Sequence, residues 1–470
     1  MDPQLYRAAK VGDVILLRQV VTGDSSRLLR VTPKGNTALH VSVSFGHIDF
    51  IQEVYAALLE HNTGLEGDTD YGRRLSLLTQ VNLVGDTALH VAIREGHTSI
   101  AKFLIEKILP WPFEDHDVEN GNSSLAREMI RMRNKSKNTA LHEALRRYDL
   151  EMVELLIEAD PHDLGHPNYD ADAEGGESPL YLAARDGRLD IVNKILDICP
   201  SAAHSGPHGR TALHVAIVEV HLDVVEVLLV KKGELADKID ENGRTALHYA
   251  MSLERSHKIV QQLLSHDTSS VYKVDKDGLS SLHIAALNSS IEVFRELIEC
   301  CPDFGELQDT NRRNVLHYAV MSKDLDKIKF AFEQLEREEF INQPDEDGNT
   351  PFHLLAEQGS IKLMEPFISN VRVDTMARNK NGQTVDEIFL NTIPIVEGLS
   401  SFIKALHMQR FFNQLALKTS LMPPSSIRGE EKWIIRVTNE KRIHTNLDKQ
   451  AEEVSSSSSS NTTTKISRKE

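Results

Sequence analysis

The sequence is poor in cysteine, in aromatic residues and in long apolar runs, and each shortage excludes a class of protein. Its 470 residues include three cysteines, too few for the disulfide framework of a secreted domain, so a reducing compartment is expected. No stretch approaches the roughly 18 consecutive apolar residues of a membrane-spanning helix, and no signal peptide is recognisable. The net charge of −17 has the wrong sign for coating nucleic acid. We therefore expect a cytoplasmic protein with no membrane span in this sequence and no nucleic-acid partner.

What the sequence does contain is a repeated segment with the pattern Gly-x-Thr-Ala-Leu-His-x-Ala. Clear copies include Gly35–His40, Gly85–His90, Thr211–His214 and Thr245–His248. The His position, held in some copies by an aromatic residue, advances by 33 to 39 residues at most steps and by 50 and 52 at two. This period and the Thr-Pro/Ala-Leu-His motif resemble the ankyrin repeat. The pattern predicts an all-α ankyrin-repeat solenoid of about ten helix-turn-helix repeats, joined by β-hairpin-like turns.

The recurring residues are predicted to have structural tasks. Thr is a good N-cap for the first helix of each repeat, and the His three residues later stands where the Glu of a capping box would. An Asp-x-x-Gly turn precedes the Thr in several copies. The residues predicted to act as structural caps are Thr37, His40, Thr87, His90, Thr139, His142, Thr211, His214, Thr245, His248, His283, His317, Thr350 and His353.

Two long steps place extra residues near 61–80 and 109–133. Insertions in a solenoid map to loops on one face, often the binding face, and Trp, Tyr and Arg are favoured in binding hot spots. One interpretation is therefore a partner-binding surface, and the other is that the aromatic rings fold back over the groove between repeats. The candidate partner contacts are Tyr71, Arg73, Arg74, Trp111 and Phe113.

The repeat pattern predicts three regions. Residues 1–390 form the array, 391–424 form a helical C-terminal cap, and 425–470 form a disordered Ser-rich tail. The tail has a slight excess of Lys and Arg, so the acidity of the chain resides in the array. We therefore expect a rigid acidic groove and a partner with a basic or mixed-charge surface.

The sequence shows no constellation of catalytic or metal-binding residues. The repeated histidines stand one repeat apart, ~8–10 Å, whereas zinc needs ligand atoms ~2 Å from one ion. His142-Glu143 begins a metalloprotease-like motif, but Arg146 stands where its second His is required. The calcium-like turns at Asp275 and Asp345 lack the final bidentate Glu. We therefore expect no cofactor, no metal and no enzymatic activity.

Between residues 138 and 217 the similarity is closer than to ankyrin repeats in general. The order Leu141-His142-Glu143-Ala144-Leu145, then Ser178-Pro179-Leu180-Tyr181, then Gly209-Arg210-Thr211-Ala212-Leu213-His214 resembles plant ankyrin-repeat proteins of the accelerated-cell-death type. The resemblance covers roughly residues 1–420. Such proteins usually continue into a Pro-Gly-Gly domain of membrane helices, whereas this sequence continues into its Ser-rich tail.

This resemblance implies a protein-interaction scaffold in plant defence and cell-death signalling, with other proteins, related ankyrin proteins among them, as partners. Two alternatives stay open. The chain is a soluble decoy of membrane-anchored relatives, or it is a membrane-associated signalling or transport component whose membrane domain is missing from this form. In either case partners would place it at the cytosolic face of the plasma membrane.

Overall fold

A computed structural model describes most of the predicted array. The described residues are 1–22, 24–60, 77–108, 130–160, 176–253, 256–335, 337–368 and 370–392. They form one compact unit, Met1–Phe389, and the first residues of a second unit that begins at Leu390. Of the predicted C-terminal cap only residues 391 and 392 are described, and the predicted tail lies wholly outside the described residues.

The described residues form ten pairs of helices followed by an eleventh first helix, which confirms the predicted all-α repeat fold. The first helices, which number the repeats 1 to 11, are Pro3–Val11, Ala38–Ser44, Ala88–Glu95, Ala140–Arg147, Pro179–Arg185, Ala212–Val218, Ala246–Ala250, Ser281–Asn288, Val315–Met321, Pro351–Glu357 and Val385–Thr392. The second helices of repeats 1 to 10 are Val14–Val21, Ile48–Glu60, Thr98–Ile108, Leu150–Ala159, Leu189–Ile198, Leu222–Lys231, His257–His266, Ile291–Cys300, Leu325–Gln334 and Ile361–Met364.

Short elements connect the repeats. Isolated antiparallel bridges, such as Val274 with Ser280 and Gln308 with Asn314, form the β-hairpin-like turns. The other short helices are Ser25–Leu29, Pro207–Gly209, Gly233–Asp237, Ser269–Tyr272, Phe304–Glu306 and Glu338–Ile341. These elements let each second helix lead into the turn of the next repeat.

The two helices of a repeat bury their side chains differently. In repeat 6 the first helix buries Ala212, Leu213, Ala216 and Ile217 almost completely, because it lies between neighbouring first helices and its own second helix. The second helix of repeat 5 buries Ile191, Val192, Ile195 and Leu196 at helical spacing and leaves its other face polar. The resulting core consists mainly of Leu, Val, Ile and Ala, which explains the low aromatic content of the chain.

Capping residues set the ends of the helices. Asp2 caps the first helix of repeat 1 by accepting a hydrogen bond from the backbone N–H of Gln4 (2.8 Å), with Pro3 at the first helical position. Gly12 and Gly96 end their helices in the left-handed conformation, at φ 77° and 81°.

The described ends of both insertions belong to the regular repeat. Leu77 and Ile130 are each 1% exposed and lie shortly before their turns, as the fully buried Leu28 and Leu235 do. The residues that lengthen these repeats therefore precede position 77 and position 130.

Candidate interaction surface

The turns between repeats are closed by the side chain of their first residue. Asp240 Oδ1 accepts hydrogen bonds from the backbone N–H groups of Asn242 and Arg244, both at 2.8 Å. The fourth residue, Gly243, has φ 79°, which an L-residue with a side chain rarely adopts. The same double acceptance occurs at Asn82, Asn134, Asp275, Asp309, Asp345 and Asn379. The turn conformation is thus set by these residues and leaves the side chains at the tip between them free to vary.

Backbone hydrogen bonds join the tips of consecutive turns. The N–H of Leu83 donates to the carbonyl of Lys34 (3.0 Å), and the N–H of Lys135 donates to that of Val84 (2.9 Å). The same bond, at 2.9–3.1 Å, links Glu241 to His208, Lys276 to Asn242, Thr310 to Asp277, Glu346 to Asn311 and Lys380 to Asp347. We call these tips, together with the exposed ends of the first helices, the tip surface. Because its backbone is already ordered, binding there costs little conformational entropy.

The predicted caps hold the first helices of repeats 2 to 4 and 6 to 10, and most of their histidines also reach the next repeat. In repeat 6 the backbone N–H of Thr211 donates to His214 Nδ1 (3.0 Å), and the Thr211 hydroxyl lies 2.8 Å from the same nitrogen. Nδ1 is therefore the acceptor, and Nε2 donates to the carbonyl of Arg244 in the next turn (3.1 Å). Corresponding Nε2 bonds, at 2.9–3.2 Å, join His40 to Asp86, His90 to Asn138, His142 to Glu177, His248 to Leu279, His317 to Asn349 and His353 to Gln383.

In two of the repeats with a predicted cap, the N-cap residue three positions before the His is not Thr. Ser280 precedes His283, and Asn314 precedes His317, and both form the capping box that Thr forms in the other repeats. The box therefore needs a short side-chain oxygen at the N-cap and does not need the Thr methyl group.

Burial keeps these histidines neutral. Desolvation lowers the pKa of His142 to about 3 and that of His214 to about 4, from an ordinary value of 6.5. The pKa values of His283 and His317 are also lowered to about 4. Both ring nitrogens of His142, His214 and His317 are engaged in hydrogen bonds, whereas His283 uses Nδ1 in its capping box and its buried Nε2 has no hydrogen-bond partner among the described residues.

A second set of bonds between repeats was missed by the sequence reasoning. It lies at the turn between the two helices of a repeat, where Nε2 of His47 bonds to the carbonyl of Lys10 and Nε2 of His221 to that of Arg185, both at 3.0 Å. In other repeats the same bond joins Arg147 to Arg94, Ser289 to Met251 and Gln358 to Val320. The Gly-His dipeptides at 46–47 and 96–97 are the signal that could have indicated it.

Repeat 5 replaces the His by Tyr181, and the next turn has changed with it. Tyr181 is 3% exposed, and its backbone N–H donates to the N-cap Ser178 Oγ (3.2 Å). Its ring lies so close to Gly206, the first residue of the next turn, that a Cβ at 206 would overlap it. The larger ring therefore requires glycine where most of the described turns begin with Asp or Asn.

The expectation of an acidic groove is wrong for the tip surface of the first repeats. In repeat 4 the exposed residues of the turn and of the end of the first helix include Lys135, Lys137 and Arg146, whereas Glu151 and Glu158 lie exposed on the second helix. The Asp residues that begin the later turns are buried and bonded within the turn. In repeat 4 the exposed acidic side chains therefore lie on the second helix and the basic ones on the tip surface.

The five side chains predicted as partner contacts lie outside the described residues. Tyr71, Arg73 and Arg74 belong to the first insertion, and Trp111 and Phe113 to the second. Both interpretations of the insertions stay predictions.

The carboxylates of the calcium-like turns are used within the turns. Asp275 Oδ1 accepts from the N–H groups of Asp277 and Leu279, and its Oδ2 lies 3.2 Å from Nε of Arg244. Among the described residues no group of three or more His, Cys, Asp or Glu could hold a metal ion. Within the same part of the chain, no helix is both long enough and apolar enough to cross a membrane.

Comparison with known proteins agrees with this architecture. A family model described as ankyrin repeats (3 copies) matches residues 5–111, 116–205, 165–235, 198–275, 229–306 and 256–337. Protein ACCELERATED CELL DEATH 6 of Arabidopsis thaliana is 26% identical over 305 residues, which are 61% of this chain and 41% of that protein. The nuclear factor NF-kappa-B p105 subunit of Gallus gallus is 27% identical over 198 residues, which are 40% of this chain and 20% of that protein.

The matched segment is less than half the length of either relative. Among solved structures, the ankyrin repeat domain of Bcl-3 aligns with a TM-score of 0.41 at 21% identity, over 56% of this chain and 98% of that one. Since the family model matches well over half of the residues and the described helices pair in the same repeats, the chain belongs to the ankyrin-repeat family.

Proposed function

We propose that this protein is a protein–protein interaction scaffold that binds its partners through the tip surface. Ankyrin repeats bind other proteins, and the observation that carries the choice of surface is the row of bonded tips. Their backbone is fixed from Lys34 to Lys135 and again from His208 to Lys380, while the tip side chains differ from repeat to repeat. A rigid backbone with variable side chains is what a specific binding surface requires.

The second helices are less suited to this role because many of their charges neutralise one another across repeats. Arg18 Nε lies 2.6 Å from Glu53, Lys231 Nζ lies 2.7 Å from Asp197, and Lys194 Nζ lies 3.2 Å from Glu158. A partner on this side would have to compete with these pairs.

The proposal includes a role in plant defence and cell-death signalling, in the cytoplasm. Its support is the similarity to Protein ACCELERATED CELL DEATH 6 over 61% of the chain.

Affinity capture with two matched variants tests the binding surface. One variant replaces exposed tip residues by serine, and the other replaces the same number of exposed second-helix residues. The tip variant is L83S/E241S/E346S and the control variant is I15S/V230S/K258S. Each is expressed as the full chain in plant cells, and captured proteins are quantified by mass spectrometry, with cell fractionation recording their compartment.

We expect the tip variant to lose specific partners that the control variant keeps, and defence or cell-death regulators to be among them. Partners lost by the control variant and kept by the tip variant would show that the second helices form the binding surface. If none of the partners lost by the tip variant is a defence or cell-death regulator, the signalling role alone would be overturned.

A further inference from the structure

Repeats 1 to 3 expose apolar side chains at or beside their turns, whereas the tips of repeats 7 to 11 are polar. At the tip of repeat 3, Leu83 and Val84 are 59% and 56% exposed. Phe45, at the end of the first helix of repeat 2, is 49% exposed, and Tyr6, within the first helix of repeat 1, is 41% exposed. The corresponding tip residues of repeats 7 to 11 are Glu241-Asn242, Lys276-Asp277, Thr310-Asn311, Glu346-Asp347 and Lys380-Asn381. Since these turns fold with polar tips, the fold does not require the apolar ones.

The two aromatic side chains, Tyr6 and Phe45, border an open cavity of about 580 Å³. Tyr6, Pro33 and Phe45 line it together with Val41 and the stem of Lys34. It lies between the first helices of repeats 1 and 2 and the turn of repeat 2, at one end of the described array. A cavity with aromatic walls accepts the apolar anchor of a partner more readily than a flat surface does.

The apolar tip of repeat 3 continues this cavity along the tip surface. The backbone of Leu83 is bonded to that of Lys34 (3.0 Å), and Asn82 Nδ2 donates to Asn36 Oδ1 (3.1 Å) in the turn that lines the cavity. The two aliphatic side chains thus lie one turn beyond the turn that lines the cavity, in the direction in which an extended chain would cross the repeats.

The charges around this region are positive. Lys10 Nζ lies 5.8 Å from the centroid of the Phe45 ring, and Lys34 lines the cavity, whose described lining includes no carboxylate. The next tip after Val84 begins with the exposed Lys135. An approaching segment is therefore favoured when it carries carboxylates beside its apolar side chains.

We propose that the apolar patch formed by Tyr6, Pro33, Phe45, Leu83 and Val84 binds an extended segment of a partner protein in which apolar residues alternate with Asp or Glu. The inference rests on the proposed function, because it assigns a partner class to one part of the tip surface. Contiguous exposed apolar side chains rimmed by charge are typical of interaction sites, and the lysines select against basic segments.

Selection from a displayed library of random 12-residue peptides on the purified full chain tests this assignment. The enriched peptides are expected to combine Leu, Ile or Phe with Asp or Glu, and to bind more weakly as salt concentration rises. A fluorescein-labelled copy of the most enriched peptide is then titrated against the L83S/V84S variant and the matched tip variant K276S/D277S. We expect the first to weaken binding by on the order of tenfold or more, and the second to leave it within about twofold.

Thermal unfolding of both variants checks that each turn still folds. Enriched peptides that lack carboxylates, or that bind L83S/V84S as tightly as the original chain, would overturn the proposal, as would a library without enrichment. A dimer in sedimentation that L83S/V84S abolishes would assign the patch to a second copy of the chain instead. None of these results affects the cellular capture experiment, which tests the tip surface as a whole and can succeed when this assignment fails.

Discussion

At the scale of single residues, Tyr181 and Gly206 show how one substitution requires another. The phenol ring occupies the space that the first side chain of the next turn would take, and burial raises the pKa of Tyr181, so the ring stays un-ionised. In repeat 6 the same two positions hold His214 and Asp240, whose ring and carboxylate are compatible. The same contact between repeats is thus formed either by Tyr with Gly or by His with Asp, and the two positions depend on each other.

Gly206 is therefore expected to tolerate Asp only when Tyr181 is changed as well. We predict that G206D lowers the free energy of unfolding by about 1–3 kcal/mol, the cost of overpacking a buried site. In the Y181H background the new Asp can close its turn and the new His can bond across it, so most of that loss should be recovered. Urea denaturation of the four proteins gives the coupling energy, and additive effects of the two changes would contradict the contact.

At the scale of the helix pair, the turn after the first helix contains a left-handed residue in most of the described repeats. Glycine supplies it at Gly46, Gly96 and Gly187, but repeat 6 has the β-branched Val220 at φ 62°. A β-branched residue in this region is strained by roughly 1–2 kcal/mol. The strain persists because the ring of the next residue, His221, is bonded to the carbonyl of Arg185 in the preceding repeat.

Replacing Val220 by glycine is expected to stabilise the array. The relief of strain, less the greater entropy of glycine in the unfolded chain, leaves a gain of about 0.5–1 kcal/mol. The reciprocal control is G187A, whose Cβ would lie 2.7 Å from the His221 ring at φ 66° and should destabilise. Thermal unfolding followed by circular dichroism measures the midpoints of both variants. A lower midpoint for V220G would show that the contacts of the Val220 side chain stabilise the array by more than its backbone strain destabilises it.

At the scale of the whole molecule, the repeated buried histidines make the array sensitive to acid. Their pKa values are lowered by burial in the folded chain, to about 4 for His214, His283 and His317, while the unfolded chain titrates near 6.5. Above pH 6.5 the histidines are neutral in both states. Below it the unfolded chain takes up protons that the folded chain excludes, so stability falls as pH decreases toward the folded pKa values.

We predict that the urea midpoint drops steeply between pH 6.5 and 4.5. Each neutral histidine contributes a loss of about 1.4 kcal/mol per pH unit in that window. Asp386 acts in the opposite direction, because burial raises its pKa to about 6, but it is a single group. The variant H214Y/D240G copies the arrangement of Tyr181 and Gly206. It should reduce the slope of the free energy of unfolding against pH by the equivalent of about one proton. An unchanged slope would show that His214 does not contribute to it.

The first helices and their caps could be predicted because their determinants lie close together in the sequence. An N-cap, a His three residues later and a turn with Gly at its fourth position act over fewer than ten residues, and the pattern repeats often enough to be recognised. The acceptor of each His could not be predicted, because His40 Nε2 bonds to Asp86, 46 residues away across an insertion. The match of Gly206 to Tyr181 depends likewise on a contact between repeats.

By itself the sequence determined the repeat, the helix pairs and the order of polar and apolar positions, because local capping and helical periodicity decide these. Only the tertiary structure decided where charge and exposed apolar surface come together. Tyr6, Phe45 and Leu83 share one surface because stacking places the turn of each repeat beside that of the next. Net charge and local pattern contain no information about that side-by-side placement, which is why an acidic sequence presents a basic and apolar end on its tip surface.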